Sequence, residues 1–324
     1  MTRLTLERHQ VWIYLAAILA GLTLGSVAPG VAPVFEAVLW PALGLLLYAT
    51  FTQVPLIQLP TAFRDGRYMA GNLIGNFILV QLLVWALLVF LPDDPAIRLG
   101  ALLVLLVPCT DWTIAFTHFG GGDTRRAIAA TPINLLLQLA LLPFYLWLFM
   151  GESFTELLTG GRIAAVFVTL IVLPLLAAWL TERWAARQPG NAALVGKIGW
   201  LPVPLLAAVV FLVAASQVQA VIGMLPMLGN VVGVFVAYLV FAALTGAALG
   251  RAMGLPVASS RALIFSLGTR NSFVMLPLAL ALEPRWQTAA VVIVFQSLIE
   301  LGGMVAYLWA MPYLAPARAA ERQS

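Results

Sequence analysis

Apolar residues run on for roughly the 20 positions that a bilayer crossing needs in ten stretches, at about 11–28, 34–56, 68–91, 99–118, 127–149, 162–181, 199–220, 224–249, 261–282 and 288–311. Short polar or Pro/Gly breaks separate them, among them Arg64-Asp65-Gly66-Arg67, Pro92-Asp93-Asp94-Pro95 and Gly120-Gly121-Gly122-Asp123. The longest break, 182–198, contains Arg187-Gln188-Pro189-Gly190 and reads as a linker. It leaves 1–181 as spans 1–5 of a first repeat plus span 6, the start of a second. Spans 7–10 and the tail then fill 199–324.

Composition agrees with this pattern. Hydrophobic residues make up 62% of the 324 and charged ones 9%, against roughly 25% charged in soluble domains, so the chain cannot cover a water-facing surface. The net charge of +4 comes from basic residues scattered between spans, which argues against nucleic acid as a partner. A single cysteine gives no internal disulfide and no paired-cysteine metal framework. Of the 17 Arg and Lys, thirteen fall in the termini and the loops after spans 2, 4, 6 and 8. Arg98, Arg162 and Arg285 fall on the other side. That bias predicts a multi-pass protein of the cell membrane, with both termini cytoplasmic. The first span lacks a small-residue cleavage site, so it reads as a retained helix and not a signal peptide.

The two halves look related. Gly71-Asn72-Leu73-Ile74-Gly75 in span 3 recurs about 160 residues on as Gly229-Asn230-Val231-Val232-Gly233 in span 8, and Thr52-Gln53-Val54 echoes Ser216-Gln217-Val218. Five spans per half is odd, so the second copy is inverted, the plan of many secondary transporters. A small-residue packing face would also explain each glycine pair. The predicted fold is therefore an all-α polytopic membrane protein. Its ten transmembrane helices form two inverted five-helix repeats, with broken spans 4 and 9 crossing.

Spans 4 and 9 carry the candidate chemistry. In Val107-Pro108-Cys109-Thr110-Asp111 the proline breaks the helix and Thr110 or Asp111 can cap a new half-helix. In Gly268-Thr269-Arg270-Asn271-Ser272 the glycine permits unwinding and Asn271 or Ser272 can cap the outgoing half. Asp111 and Arg270 would each cost about 2.5–3.5 kcal/mol at mid-depth unless paired or hydrated. They read either as a static salt bridge or as substrate-lining groups that change partners. Glu300 in span 10 is a candidate proton carrier or a packing contact. Asn134 and Gln138 in span 5 can reach the same cavity or bond between helices. Cys109 is an inert apolar filler by default, except that it sits at the break. His118 and the span-end aromatics Trp12, Tyr68, Trp286 and Tyr313 read as interfacial. Gly120-Gly121-Gly122-Asp123 matches a short intramembrane-protease string, but Asp123 lies in a loop beside Arg125 and Arg126. With no HExxH, GxSxG or P-loop motif, no enzyme is predicted.

Pro108-Cys109, Asn271-Ser272-Phe273 and Leu298-Ile299-Glu300, in this order and spacing, resemble the bile acid:sodium symporter superfamily, and within it the arsenical-resistance (arsenite efflux permease) branch. The resemblance spans essentially the whole chain and implies a secondary transporter. Cys109 would then contact arsenic, with Thr110, Asp111, Arg270, Asn271, Ser272 and Asn134 around the substrate, and Glu300 and Asp111 in coupling. It implies no bound metal or other cofactor. Partners would be a metalloid or other small solute, the bilayer, and a second copy of the chain as a candidate. This sequence departs from the pattern at Val274, where the arsenite branch has a glutamate. Ser266 and Arg270 stand where the symporters place sodium-binding residues, and Thr110-Asp111 replaces their Ser-Asn pair. Arg270 near Asp111 would stand in for sodium, leaving the proton motive force as the driver. An alternative substrate is a small organic or inorganic anion bound by Arg270 and the half-helix N-termini.

Overall fold

The structure, a computed structural model, describes residues 3–316 except 29, 31, 56–64, 111, 152–164, 166, 188, 217, 219–221 and 223–227. Among these residues the elements are helices: α1 Arg3–Val27, α2 Ala32–Phe51, α3 Gly66–Phe90, α4 Pro95–Leu105, α5 Trp112–Phe119, α6 Thr124–Met150 and α7 Val168–Ala185. They continue with α8 Pro189–Ile198, α9 Pro202–Ser216, α10 Leu228–Ala252, α11 Val257–Gly268, α12 Ser272–Leu280 and α13 Thr288–Leu314.

Seven helical stretches are long and apolar enough to cross a bilayer: α2, α3, α6, α7, Val195–Ser216, Gly229–Ala252 and α13. The other three expected spans are shorter for physical reasons. The apolar part of α1 is Trp12–Val27, and spans 4 and 9 are each split, into α4/α5 and α11/α12. The expected linker contains α8.

Loop aspartates start three of these helices. Asp65, Asp94 and Asp123 accept hydrogen bonds from the first free backbone N–H groups of α3, α4 and α6. Asp123 thus has a capping role, and Gly121 beside it turns the chain with φ +67°, a conformation glycine adopts without steric penalty. Arg126 reaches from α6 to Asp65 (Nε–Oδ2 2.6 Å), to Asp123 (2.9 Å) and to Ser259, tying α3, α6 and α11 together. Asp65 is held below the ordinary aspartate value of about 3.9, first by the Tyr68 N–H and then by Arg126. A lowered carboxyl stabilises the fold fully above that value and loses its contribution as pH falls through the lower folded-state value. The pair is about one-third exposed (31% and 34%), so the effect should stay below about 1 kcal/mol. Thermal melts of wild type and Asp65→Asn should therefore converge in acid and separate near neutrality. Parallel curves at every pH would remove the pair from the stability account.

The helices pack as two groups. α1 lies along α9, which also packs on α2, and α2 carries α7. α3, α4, α5, α6, α10, α11, α12 and α13 surround the two breaks, and α12–α2 and α1–α13 contacts join the groups. On α1 a Cβ at Gly25 would overlap the Ala215 carbonyl oxygen, and one at Gly21 would overlap that of Phe211. Gly25→Val should push α1 off α9 and cost about 1–3 kcal/mol. An unchanged melting temperature in detergent would show that this approach is dispensable.

The echoed glycine motifs diverge in use. Gly71 and Gly75 pack tightly on Met253 and Leu267, whereas Gly229 and Gly233 face open space and Asn230 is exposed. Of the aromatics expected at interfaces, Trp12 and Tyr313 are exposed but Tyr68 and Trp286 are buried in the protein.

Candidate functional site

Both breaks form where expected, and they satisfy each other. Residues 106–110 leave helical geometry after α4, and Thr269–Asn271 do so after α11. The two segments cross as an isolated antiparallel bridge at Pro108 and Arg270. The Cys109 N–H donates to the Thr269 carbonyl (3.2 Å), and the Asn271 N–H to that of Val107 (2.8 Å). Unwound backbone is tolerated at membrane depth only when protein or water satisfies it, and here each break supplies the other's partners. Asn271 caps α12 by accepting from the Val274 N–H, and its amide donates to the Thr110 hydroxyl (3.4 Å). Asp111, the residue before α5, lies outside the described residues, and with it both its expected capping of α5 and its expected pairing with Arg270.

Arg270 is almost fully buried (1%). Its Nη2 donates to Asn76 Oδ1 (2.7 Å) and to the carbonyls of Ser266 (2.9 Å) and Leu267 (3.0 Å), and Nη1 to the carbonyl of Leu105 (3.4 Å). Tyr238 closes one side, with its ring centre 5.7 Å from the guanidinium carbon and its hydroxyl donating to Leu267. The guanidinium therefore sits among oxygens at the C-terminal ends of two half-helices, where the helix dipole is negative.

Two polar chains run outward from it. Asn76 donates to Ser266 (3.0 Å), Ser266 to Asn72 (2.8 Å), and Asn72 to Asn134 (2.6 Å), linking α3, α11 and α6. A π-helical turn at Gly75–Leu79 frees the Asn76 carbonyl to accept from Gln81, which also donates to Leu106 (3.2 Å). On the other side the Arg270 backbone N–H donates to Glu300 Oε2 (2.9 Å), as does Gln296 (2.6 Å), and Ser272 donates to Gln296 (2.6 Å). Glu300 Oε1, Arg270 Nε and both polar atoms of Gln138 have no hydrogen-bond partner among the described residues. Asn134 thus belongs to the interior network and not to the cavity wall.

A cavity of about 560 Å³ reaches the crossing from between the two helix groups. Thr110, Trp112 and Phe273 line it at the break, Tyr14, Thr50 and Val203 on the facing helices, and Gln10, Gln53, His118 and Thr124 toward one end. His118, expected at an interface, is the one basic side chain lining it among the described residues, which place no arginine or lysine there. Sequence reasoning missed Asn72 and Asn76, whose one-turn spacing placed them inside a glycine packing motif. It also missed the aromatic wall of Tyr14, Trp112 and Phe273.

Comparisons with known proteins agree with this architecture. The arsenical-resistance protein Acr3 of Corynebacterium glutamicum is 25% identical over 338 residues, covering 94% of this chain and 88% of that protein. Residues 40–224, more than half of the chain, match the Sodium Bile acid symporter family. The resemblance read from three short motifs is borne out: the chain belongs to the Sodium Bile acid symporter family and is a multi-pass membrane transporter.

Proposed function

We propose that this transporter exports trivalent arsenic species, takes no sodium and is driven by protons. The observation that carries the reading is the position of the single cysteine. Cys109 is pinned by its backbone N–H in the crossing, next to Thr110 on the cavity wall. A thiolate is a soft ligand suited to a thiophilic metalloid, and one such bond would hold the cargo weakly enough for release. The name of the Corynebacterium relative supports the same substrate.

Sodium independence follows from Arg270. Its guanidinium fills a nest of four oxygens with a fixed positive charge, so a free cation would meet repulsion there and find those four oxygens occupied. Glu300, anchored on the backbone of the same break and with one oxygen unpartnered among the described residues, is the proposed proton carrier. Asp111 is the second candidate for coupling. The ten spans are proposed to form two inverted repeats with cytoplasmic termini, so that the cavity opens to the cytoplasm. The alternative cargo, an anion held by Arg270, has less in its favour, because Nη1 and Nη2 already serve an amide oxygen and three carbonyls, and among the described residues no arginine or lysine, Arg270 included, lines the cavity.

The test is arsenite flux in proteoliposomes under an imposed pH gradient. Flux should be equal in sodium and choline media, and Glu300→Gln should lose the pH-gradient dependence. A sodium requirement would sink the tethered-cation mechanism. Absence of arsenite flux under every gradient would sink the substrate.

A further inference from the structure

We propose that the cavity takes trivalent arsenicals bearing an aromatic substituent, R–As(OH)2, in preference to inorganic arsenous acid. This rests on the reading of Cys109 as the arsenic ligand. The argument is one of size and surface. At about 30 Å³ per water, the 560 Å³ cavity has room for roughly twenty waters. Arsenous acid, one arsenic and three hydroxyls, would fill a small corner and leave water against Tyr14, Leu46, Trp112, Leu206 and Phe273. The volume lies within the range of about 300–1,000 Å³ that encloses organic ligands.

The aromatic side chains are arranged to receive a ring. Trp112 stacks on Tyr14 with centroids 6.3 Å apart at 14°, and meets Phe273 edge-on at 5.1 Å and 67°. Another ring could extend either contact. Trp112 opens α5 and Phe273 is the second residue of α12, so both follow directly on the breaks, and Trp112 is three residues past Cys109. Cys109 itself is 5% exposed and does not line the cavity, so the arsenic would sit beside Thr110, the lining residue next to it, with the substituent toward this wall. An uncharged dihydroxyarsine head also suits a wall that offers Thr110, Thr50 and Gln10 but, among the described residues, no arginine or lysine. Capture balances without an oxidant: one As–S bond forms, one As–O bond breaks, and the thiol proton leaves with the hydroxide as water. Arsenic stays trivalent throughout.

The full-length protein in detergent is titrated with arsenite, phenylarsine oxide (phenylarsonous acid in water) and phenylboronic acid, each followed by thermal shift. Phenylarsine oxide should half-saturate the shift at a concentration at least tenfold below arsenite, and the boronic acid should give none. Trp112→Ala and Phe273→Leu should each shrink the phenyl-to-arsenite ratio. Equal potency of the two arsenicals, or ratios unchanged in both variants, would overturn the proposal. Arsenical responses that persist in Cys109→Ser, which has no thiol at all, would overturn the underlying arsenic reading instead. A response to the boronic acid equal to that of the phenyl arsenical would do the same.

Discussion

Arg270→Ala should destabilise the purified protein by about 3–5 kcal/mol, the usual cost of removing one member of a buried charged network, and should stop transport. The substitution strips the donor from Asn76 Oδ1 and from the carbonyls of Ser266, Leu267 and Leu105. Each buried acceptor left unpaired costs about 1–3 kcal/mol, though entering water will recover part of the sum. Arg270→Lys should fall in between, because a compact ammonium cannot address oxygens on both half-helices as a planar fork does. The vacated oxygens are hard ligands of the kind that suit alkali ions, so sodium should raise the melting temperature of Arg270→Ala and leave the parent unchanged. A variant that melts and transports like the parent would show that the guanidinium is not needed.

Cys109→Ser should remove arsenite binding while leaving the fold nearly intact. The change is close to isosteric at a buried site, so a stability loss of only about 1–3 kcal/mol is expected. The parent, by contrast, should gain about 2.7 kcal/mol at an arsenite concentration a hundred times Kd, and that gain should vanish in the variant. In cells the variant should accumulate yet confer no protection from arsenite. Full protection by Cys109→Ser would move the arsenic contact elsewhere.

The breaks were legible because their causes are local. Pro108 cannot continue a helix, and Gly268 followed by Asn271 is both a stop and a cap. The burial of Arg270 and Glu300 was legible from hydropathy, since both fall in the middle of apolar stretches of bilayer-crossing length. Their partners were not. Asn76 lies 194 residues from Arg270, and Leu105 lies 165 away; no periodicity encodes such contacts. The sequence places Arg270 and Asp111 at matching depths, which suggested a pair. Asp111 lies outside the described residues, and the partners seen on the guanidinium are the Asn76 amide oxygen and three backbone carbonyls, a class that side-chain reading overlooks. The echo of Gly71/Gly75 in Gly229/Gly233 was visible too, but not its asymmetry, because only the first pair meets a packed neighbour.

The exchange of backbone bonds at Pro108 and Arg270 also limits how the molecule can move. Pulling the segments apart would bare the N–H groups of Cys109 and Asn271 and the carbonyls of Thr269 and Val107, at several kcal/mol for each group that finds no water. Neither half-helix can therefore straighten or swing alone as a hinged gate. The crossing is a welded joint, and under the transport function proposed above it would have to be carried whole past α1, α2 and α9 to face the opposite side of the membrane. The cost of turnover then lies in shearing that single seam.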